Sequence, residues 1–219
     1  MTKPNQIQLH PITVTTNPAR RLCQLFAGLA LYGTSMALMT RAGLGLNPWD
    51  VLHEGIADRT GLTFGTVTAL TAVVVLLLWI PLRQRPGIGT VANVLIIAVT
   101  VDLARLVLPD QHAFAWQATF LLGGIVLNGL ATAVYVGARL GPGPRDGLMT
   151  GIAARTGRSV RLVRTGIELT VLGVGWLLGG TVGLGTVLYA LAIGPLAQLF
   201  LPYVVWREPG LRTRGAEPA

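Results

Sequence analysis

Apolar runs of about 20 residues recur along the whole chain and leave only short polar segments between them. A helix of about 20 residues matches the roughly 30 Å hydrocarbon core of a bilayer, so each run can form one transmembrane helix. The predicted spans are residues 22–40, 64–82, 88–108, 114–136, 162–182 and 184–206. The sequence therefore predicts an all-α, polytopic membrane helix bundle with about six transmembrane helices.

The composition leaves no room for a substantial soluble domain. Only 12% of the 219 residues are charged, about half the usual share of a soluble domain. The sequence contains no metal-ligand cluster, phosphate-binding loop or nucleophile–base pattern, so we expect no enzymatic activity, no cofactor and no metal. The net charge of +8 lies mainly in loops between apolar runs. There it favours contact with the lipid bilayer and argues against a nucleic-acid partner.

Charge in the loops predicts the orientation of the chain in the membrane. With the N-terminus in the cytoplasm, all of the 17 Lys and Arg residues except Arg41, Arg59 and Arg105 fall on the inner side. This distribution follows the positive-inside bias. Residues 1–21 and 207–219 are then cytoplasmic tails. Four tryptophans near span ends are predicted to form an interfacial belt: Trp79, Trp116, Trp176 and Trp206.

The two halves of the chain resemble each other at an offset of 96 residues. Residues 45–61 align with residues 141–157 without a gap, and ten of the 17 positions are identical. We interpret the halves as membrane repeats, at residues 22–108 and 114–206, with three spans each. Because three is odd, the second repeat enters the membrane from the opposite side. Many secondary transporters are built from inverted repeats of this kind.

Each repeat carries a short predicted helix between its first two spans, Pro48–Thr60 and Pro144–Thr156. An N-cap residue, a proline and an aspartate mark the start of each helix, and a glycine marks the end. A length of about 20 Å is too short to cross a bilayer, so each either lies in the interface or enters the membrane as a half-helix. The motif residues outside the aspartates are Gly45, Asn47, Pro48, Gly141, Gly143 and Pro144.

Three carboxylates are candidates for a binding site. Asp50 and Asp146, at the third position of each short helix, either cap the helix or help to accept an ion or a substrate at its N-terminus. Glu168 lies inside the fifth span, where an unpaired charge is costly. It either pairs with Arg164 one turn earlier or faces a polar cavity.

Uncharged polar residues also occupy equivalent positions inside the spans. Tyr32 aligns with Asn128, and Asn93 aligns with Tyr189, so all four are predicted to face the protein interior. We expect them to line a polar cavity between the two repeats, close to the bilayer midplane. The alternative is a solid bundle in which these side chains only join neighbouring helices by hydrogen bonds.

The chain resembles the YczE/YitT-like bacterial integral membrane proteins over nearly its whole length. The most specific elements are Gly-Leu-Asn-Pro-Trp-Asp at 45–50 and Gly-Pro-Arg-Asp at 143–146. The resemblance implies a multi-pass protein of the bacterial cytoplasmic membrane. It implies no particular biochemical activity and no site residues.

Two classes of function remain open. The first is a small secondary transporter, or a substrate-binding membrane subunit, for an unknown small solute or ion. The second is a non-transporting scaffold or accessory protein that supports another membrane system. A homodimer or a different membrane protein as partner is compatible with either class.

Overall fold

Eight α-helices make up residues 15–206, the part of the chain that the structure, a computed structural model, describes. They are α1 (Pro18–Ala42), α2 (Pro48–Thr60), α3 (Phe64–Leu82), α4 (Ile88–Val107), α5 (Phe114–Gly137), α6 (Pro144–Thr156), α7 (Val160–Leu177) and α8 (Leu184–Val204). Apart from residues 15–21, the two predicted tails lie outside the described residues. Helices α2 and α6 coincide with the short helices predicted from the sequence.

The sequence repeat is also a repeat of structure. Each helix of the first half has a counterpart that begins 96 residues later, so α1 corresponds to α5, α2 to α6, α3 to α7 and α4 to α8. Thr63 caps α3 as Ser159 caps α7, each side chain accepting a hydrogen bond from a backbone amide of the first turn. Gly61 and Gly157 end the short helices with φ angles of 71° and 67°, in the left-handed region that suits glycine.

Helices α1 and α5 pack against each other in antiparallel orientation. Gly28 in the first half of α1 lies against Tyr135 near the end of α5, and Gly124 in the first half of α5 lies against Met39 near the end of α1. A Cβ atom at Gly28 would lie 2.6 Å from the amide nitrogen of Tyr135. One at Gly124 would lie 2.7 Å from Cγ of Met39. Glycine at both positions therefore permits the close approach of the two helices.

The short helices pack against long helices of the opposite half. Helix α2 packs against α7, and α6 packs in the equivalent way against α3. The loops before the short helices also bond to the opposite half. Gly185 N donates to Leu44 O at 2.8 Å, and Gly89 N donates to Leu140 O at 3.0 Å. These two hydrogen bonds join equivalent residues of the two halves, since Leu140 and Gly185 lie 96 residues after Leu44 and Gly89.

The short helices enter the bundle by their first turns. Asn47 and Asp50 are buried at the start of α2, and Gly143 and Pro144 are buried at the start of α6. The last turns of both helices are exposed. They lie at opposite ends of the bundle, because α2 leads into the N-terminus of α3 whereas α6 lies against the C-terminal part of α3. We refer to these as the α2 end and the α6 end.

Five helices are long and apolar enough to cross a membrane: α1, α3, α4, α5 and α8. Large apolar side chains such as Leu77, Leu95 and Leu191 are exposed on their surfaces, as lipid-facing positions require. The prediction of a polytopic helical membrane protein is confirmed at this level. The predicted span 162–182 is not one of the five, because the 18 residues of its helix α7 include three charged side chains.

Candidate functional site

A cavity of about 910 Å³ lies between the two halves, and all eight helices contribute residues to its wall. Five of the polar residues predicted to face the interior line it: Tyr32, Asn93, Asp146, Glu168 and Tyr189. Five residues of the short-helix motif also line it: Asn47, Pro48, Gly141, Gly143 and Pro144. The other predicted residues, Asp50, Asn128 and Gly45, are buried in the packed shell around the cavity.

Asp50 is fully buried at the start of α2. Its backbone amide donates to Asn47 Oδ1 at 3.0 Å, and its Oδ2 accepts a hydrogen bond from Asn47 Nδ2. Asn47 thus caps α2, and the Asp50 carboxylate holds the capping side chain in place. The other carboxylate oxygen, Oδ1, lies 3.4 Å from His53 Nδ1 and 3.9 Å from Arg145 Nη2. It accepts no hydrogen bond from the described residues.

The equivalent Asp146 lies in a different environment. Gly143 provides no side-chain cap for α6, and the Tyr135 hydroxyl donates to Asp146 Oδ2 over a long 3.4 Å. Enclosure among protein atoms raises the pKa of the Asp146 carboxyl group, an effect that Arg164 and Arg145 oppose. The Asp146 side chain is nevertheless open to the cavity. Water in the cavity would therefore offset part of the effect of enclosure.

His53 lies one turn beyond Asp50 in α2 and is also fully buried. Burial lowers the pKa of its imidazole, so the ring is neutral at pH 7. Nδ1 lies 3.2 Å from Thr68 Oγ1, and Nε2 has no hydrogen-bond partner among the described residues. The sequence pattern did not single out His53, because its neighbour Thr68 belongs to a different helix.

Asn128 joins three helices beside the cavity. Its Nδ2 donates to Ser35 Oγ in α1 at 2.8 Å, and its Oδ1 accepts from the Tyr189 hydroxyl in α8 at 3.0 Å. Asn93 instead lines the cavity and makes no hydrogen bond with another residue of the described chain. Asn128 therefore joins neighbouring helices by hydrogen bonds, whereas Asn93 faces the cavity, so each of the two predicted roles occurs at one asparagine.

Arg145 and Trp49 meet where the short helices approach each other. They occupy equivalent positions of the two repeats, and the guanidinium carbon of Arg145 lies 4.9 Å from the centre of the Trp49 ring. This geometry is a cation–π contact. Neither residue was among the predicted site residues. The repeat contained a signal, because both residues occupy the second position of a short helix in the repeated motif.

Glu168 and Arg164 form the predicted pair along α7, with 2.8 Å between Oε1 and Nε. Both also line the cavity, so Glu168 is paired and faces the cavity at the same time. Arginines outnumber carboxylates in the wall, which contains Arg85, Arg139, Arg145 and Arg164 against Asp146 and Glu168. Within residues 15–206, no three side chains of the metal-binding types come together as a metal site.

On the α2 side, the wall residues Trp49, His53 and Thr68 are buried, and polar contacts outside the wall join α2 to the end of α7 and the segment after it. Glu54 Oε2 accepts a hydrogen bond from the Thr181 amide at 2.6 Å. Arg59 donates to the carbonyl oxygens of Leu178 at 2.9 Å and Leu177 at 3.1 Å. These bonds tie the first half of the chain to the second.

The α6 end has no equivalent closure. Thr150 and Arg155 occupy the positions that correspond to Glu54 and Arg59. Thr150 bonds only within its own helix, and Arg155 makes no hydrogen bond within the described chain. The cavity wall here includes the exposed residues Arg85 and Thr150, so the cavity opens at the α6 end.

Trp79 corrects the predicted interfacial belt. Its side chain is buried, its Nε1 donates to Pro144 O at 3.0 Å, and its ring covers Gly147 in α6. Trp116 and Trp176 are exposed, as an interfacial position requires. Position near a span end does not reveal which side of the helix faces lipid, and for Trp79 that side faces α6.

The repeated helices, their apolar surfaces and the central polar cavity define a polytopic helical membrane protein. No solved structure shows significant similarity to the chain. The family described as "Family of unknown function (DUF6198)" matches residues 19–202, so the chain belongs to this family.

Similar proteins occur in two bacteria. The chain is 44% identical over 177 residues to an "Uncharacterized protein" of Haemophilus influenzae, and the match covers 81% of each chain. It is 37% identical over 180 residues to "Uncharacterized membrane protein YczE" of Bacillus subtilis, covering 81% of this chain and 83% of the relative. "Uncharacterized protein YyaS" of Bacillus subtilis is 28% identical over 181 residues, covering 81% and 90%. The resemblance to YczE is thus confirmed.

Proposed function

We propose that this membrane protein is a small secondary transporter that moves a small solute or ion by alternating access. The cavity carries the proposal, because it lies between two related halves, is closed at the α2 end and is open at the α6 end. Both short helices begin at its wall. Transporters with inverted repeats hold their substrates at the repeat interface, beside the ends of interrupted helices.

The proposal includes six transmembrane helices, with α7 as the sixth. Helix α7 has 18 residues, which corresponds to about 27 Å. Arg161 lies in its first turn, and the Arg164–Glu168 pair faces the cavity, so these charges can avoid the lipid core. With six spans and antiparallel α1 and α5, the two repeats would have opposite topology. The positive-inside bias would then place both termini and the α6 end in the cytoplasm.

Exchange of conformation between the halves would produce the second transport state. In the described state α2 is bonded to the end of α7, whereas α6 lacks the equivalent bonds. In the other state α6 would close against α3, and α2 would separate from α7. The cavity would then open at the α2 end and close at the α6 end.

Topology is tested by labelling single cysteines at the exposed last turns of the short helices. Cys23, the sole cysteine, is exposed, so Cys23→Ser provides the background. On it, a membrane-impermeant maleimide should label Asp58→Cys from the periplasmic side and Ala154→Cys from the cytoplasmic side. Labelling of both from the same side would exclude the inverted topology.

Alternating access is tested at Thr71, which lies in the cavity wall. On the same background, a membrane-impermeant maleimide should label Thr71→Cys rapidly from the α6 side and more slowly from the α2 side. Because each molecule would alternate between the two states, labelling from either side should in the end reach all molecules. The Asp58→Cys and Ala154→Cys proteins control for leakage, since each should label from one side. Labelling of Thr71→Cys from the α6 side alone would favour the non-transporting scaffold.

A further inference from the structure

We propose that the cavity binds an organic anion with an apolar body, and that Arg145 holds its anionic group. This inference names the substrate class of the transporter proposed above and rests on that function. Three features of the cavity lead to it: an arginine with unused donors, the uncapped start of α6, and an apolar part of the wall.

Arg145 presents hydrogen-bond donors that no described residue uses. Its guanidinium makes no hydrogen bond within residues 15–206, and its nearest carboxylate oxygen, Asp50 Oδ1, is 3.9 Å away, too far for one. The ring of Trp49 supports one face of the guanidinium group. A planar guanidinium held in this way can donate two parallel hydrogen bonds to a carboxylate or a similar oxyanion.

The first turn of α6 adds positive potential at the same place. Arg145 is the second residue of α6, and Gly143 has no side chain that could cap the free amides of the first turn. The positive end of a helix dipole favours a bound anion. Asp146 brings a negative charge to this turn, but four arginines line the cavity against two carboxylates, or three with buried Asp50.

Apolar side chains from four helices form another part of the wall: Val75, Val94, Ile97, Met149 and Ile193. An inorganic anion would leave this surface uncovered, whereas an organic anion would place its apolar body there. The volume of about 910 Å³ is in the range of cavities that bind drug-sized organic molecules. Charge and shape together therefore indicate an anion with an apolar body.

Three probes that differ only in the polar group test the charge preference: 4-phenylbutyrate, 4-phenylbutanamide and 4-phenylbutylamine. Their dissociation constants are measured by calorimetry and ligand-observed NMR on the full chain in lipid nanodiscs, with empty nanodiscs as the blank. The carboxylate should bind at least about tenfold more tightly than the amide, which corresponds to one charge-assisted contact. The amine should bind no better than the amide, and acetate should bind more weakly than 4-phenylbutyrate.

Variants assign the preference to Arg145. Arg145→Gln should reduce the carboxylate-to-amide ratio to less than about twofold, because it removes the charge. Arg155→Gln, an exposed arginine in the last turn of the same helix, should leave the ratio unchanged. Arg145→Lys keeps the charge without the planar fork and should give an intermediate ratio. It also replaces the glutamine variant if that protein fails to fold.

Three results would overturn the proposal: tighter binding of the amine or amide, no binding of 4-phenylbutyrate up to about 10 mM, or an unchanged ratio in the Arg145 variants. Failure of the transport function is recognised separately. Two-sided access at Thr71→Cys with preference for the amine would retain the transporter and reject the anion. One-sided access with preference for the carboxylate would leave anion binding without transport.

Discussion

Replacing Glu54 should weaken the closure of the cavity at the α2 end. The Glu54 carboxylate accepts a 2.6 Å hydrogen bond from the Thr181 amide, which joins α2 to the segment between α7 and α8. A hydrogen bond to a charged group contributes about 1.5–3 kcal/mol. Glu54→Ala removes this bond and should raise the free energy of the closed state by about 2 kcal/mol.

Loss of this hydrogen bond destabilises the closed state alone. When the α2 end opens, the Glu54 carboxylate and the Thr181 amide would both be exposed to water and would not need each other as partners. A change of about 2 kcal/mol raises the ratio of open to closed molecules roughly 30-fold. Glu54→Gln keeps a neutral acceptor and loses only the charge, so its effect on the free energy should be about half as large.

The assay follows the rate at which an impermeant maleimide labels Thr71→Cys from the α2 side, in the Cys23→Ser background. When labelling is slower than opening and closing, its rate follows the open population. We expect a roughly 30-fold faster rate in Glu54→Ala and a smaller increase in Glu54→Gln. Asp58→Ala is the matched control, since Asp58 is an exposed carboxylate of the same helix with no bonded partner in the described chain.

An unchanged rate in Glu54→Ala would refute the assignment of the Thr181 contact as a closure of the α2 end. The same increase in Asp58→Ala would attribute the effect to general charge loss from α2. Labelling from the α6 side serves as the folding control, because all three proteins should retain it.

Three further predictions concern stability, measured by thermal unfolding in detergent. Gly147→Ala should destabilise the protein by about 1–3 kcal/mol because its methyl group would overlap the Trp79 ring. Gly166→Ala, at an open position, should have little effect, and equal stabilities would contradict the packing of Trp79. Asn128→Leu should cost about 1–3 kcal/mol, because it removes the hydrogen bonds that the buried Asn128 amide makes to Ser35 and Tyr189, and no loss would argue against that network. Glu168→Gln should cost less than about 1 kcal/mol because its ion pair is partly exposed, and a larger loss would show that the pair is structural.

Local sequence determined the boundaries of the helices and the repeat. Asn47 and Gly61 mark the ends of α2, and both signals act within a few residues of where they stand. The apolar runs predicted the long helices in the same local way, because a membrane helix needs a continuous apolar segment of a certain length. The offset of 96 residues was readable in the same way, and each helix of the second half begins 96 residues after its counterpart.

Contacts between distant segments decided the rest. Arg21 looked like a cytoplasmic loop charge, yet it is fully buried and donates to the carbonyl oxygens of Ala138 and Arg139 at the end of α5. No local pattern predicts such a contact, because its partners lie more than 100 residues away in the chain.

Asp50 and Asp146 show most clearly that a local sequence motif does not determine the surroundings of a residue. They occupy identical positions in the repeated motif. Asp50 is sealed by the Asn47 side chain, whereas Asp146 has only Gly143 at the equivalent cap position and is open to the cavity. Their neighbours also differ, because Asp50 lies beside His53 and Arg145 whereas Asp146 lies beside Tyr135. Sequence determined that both would start a helix, and only the tertiary structure decided which one faces the cavity.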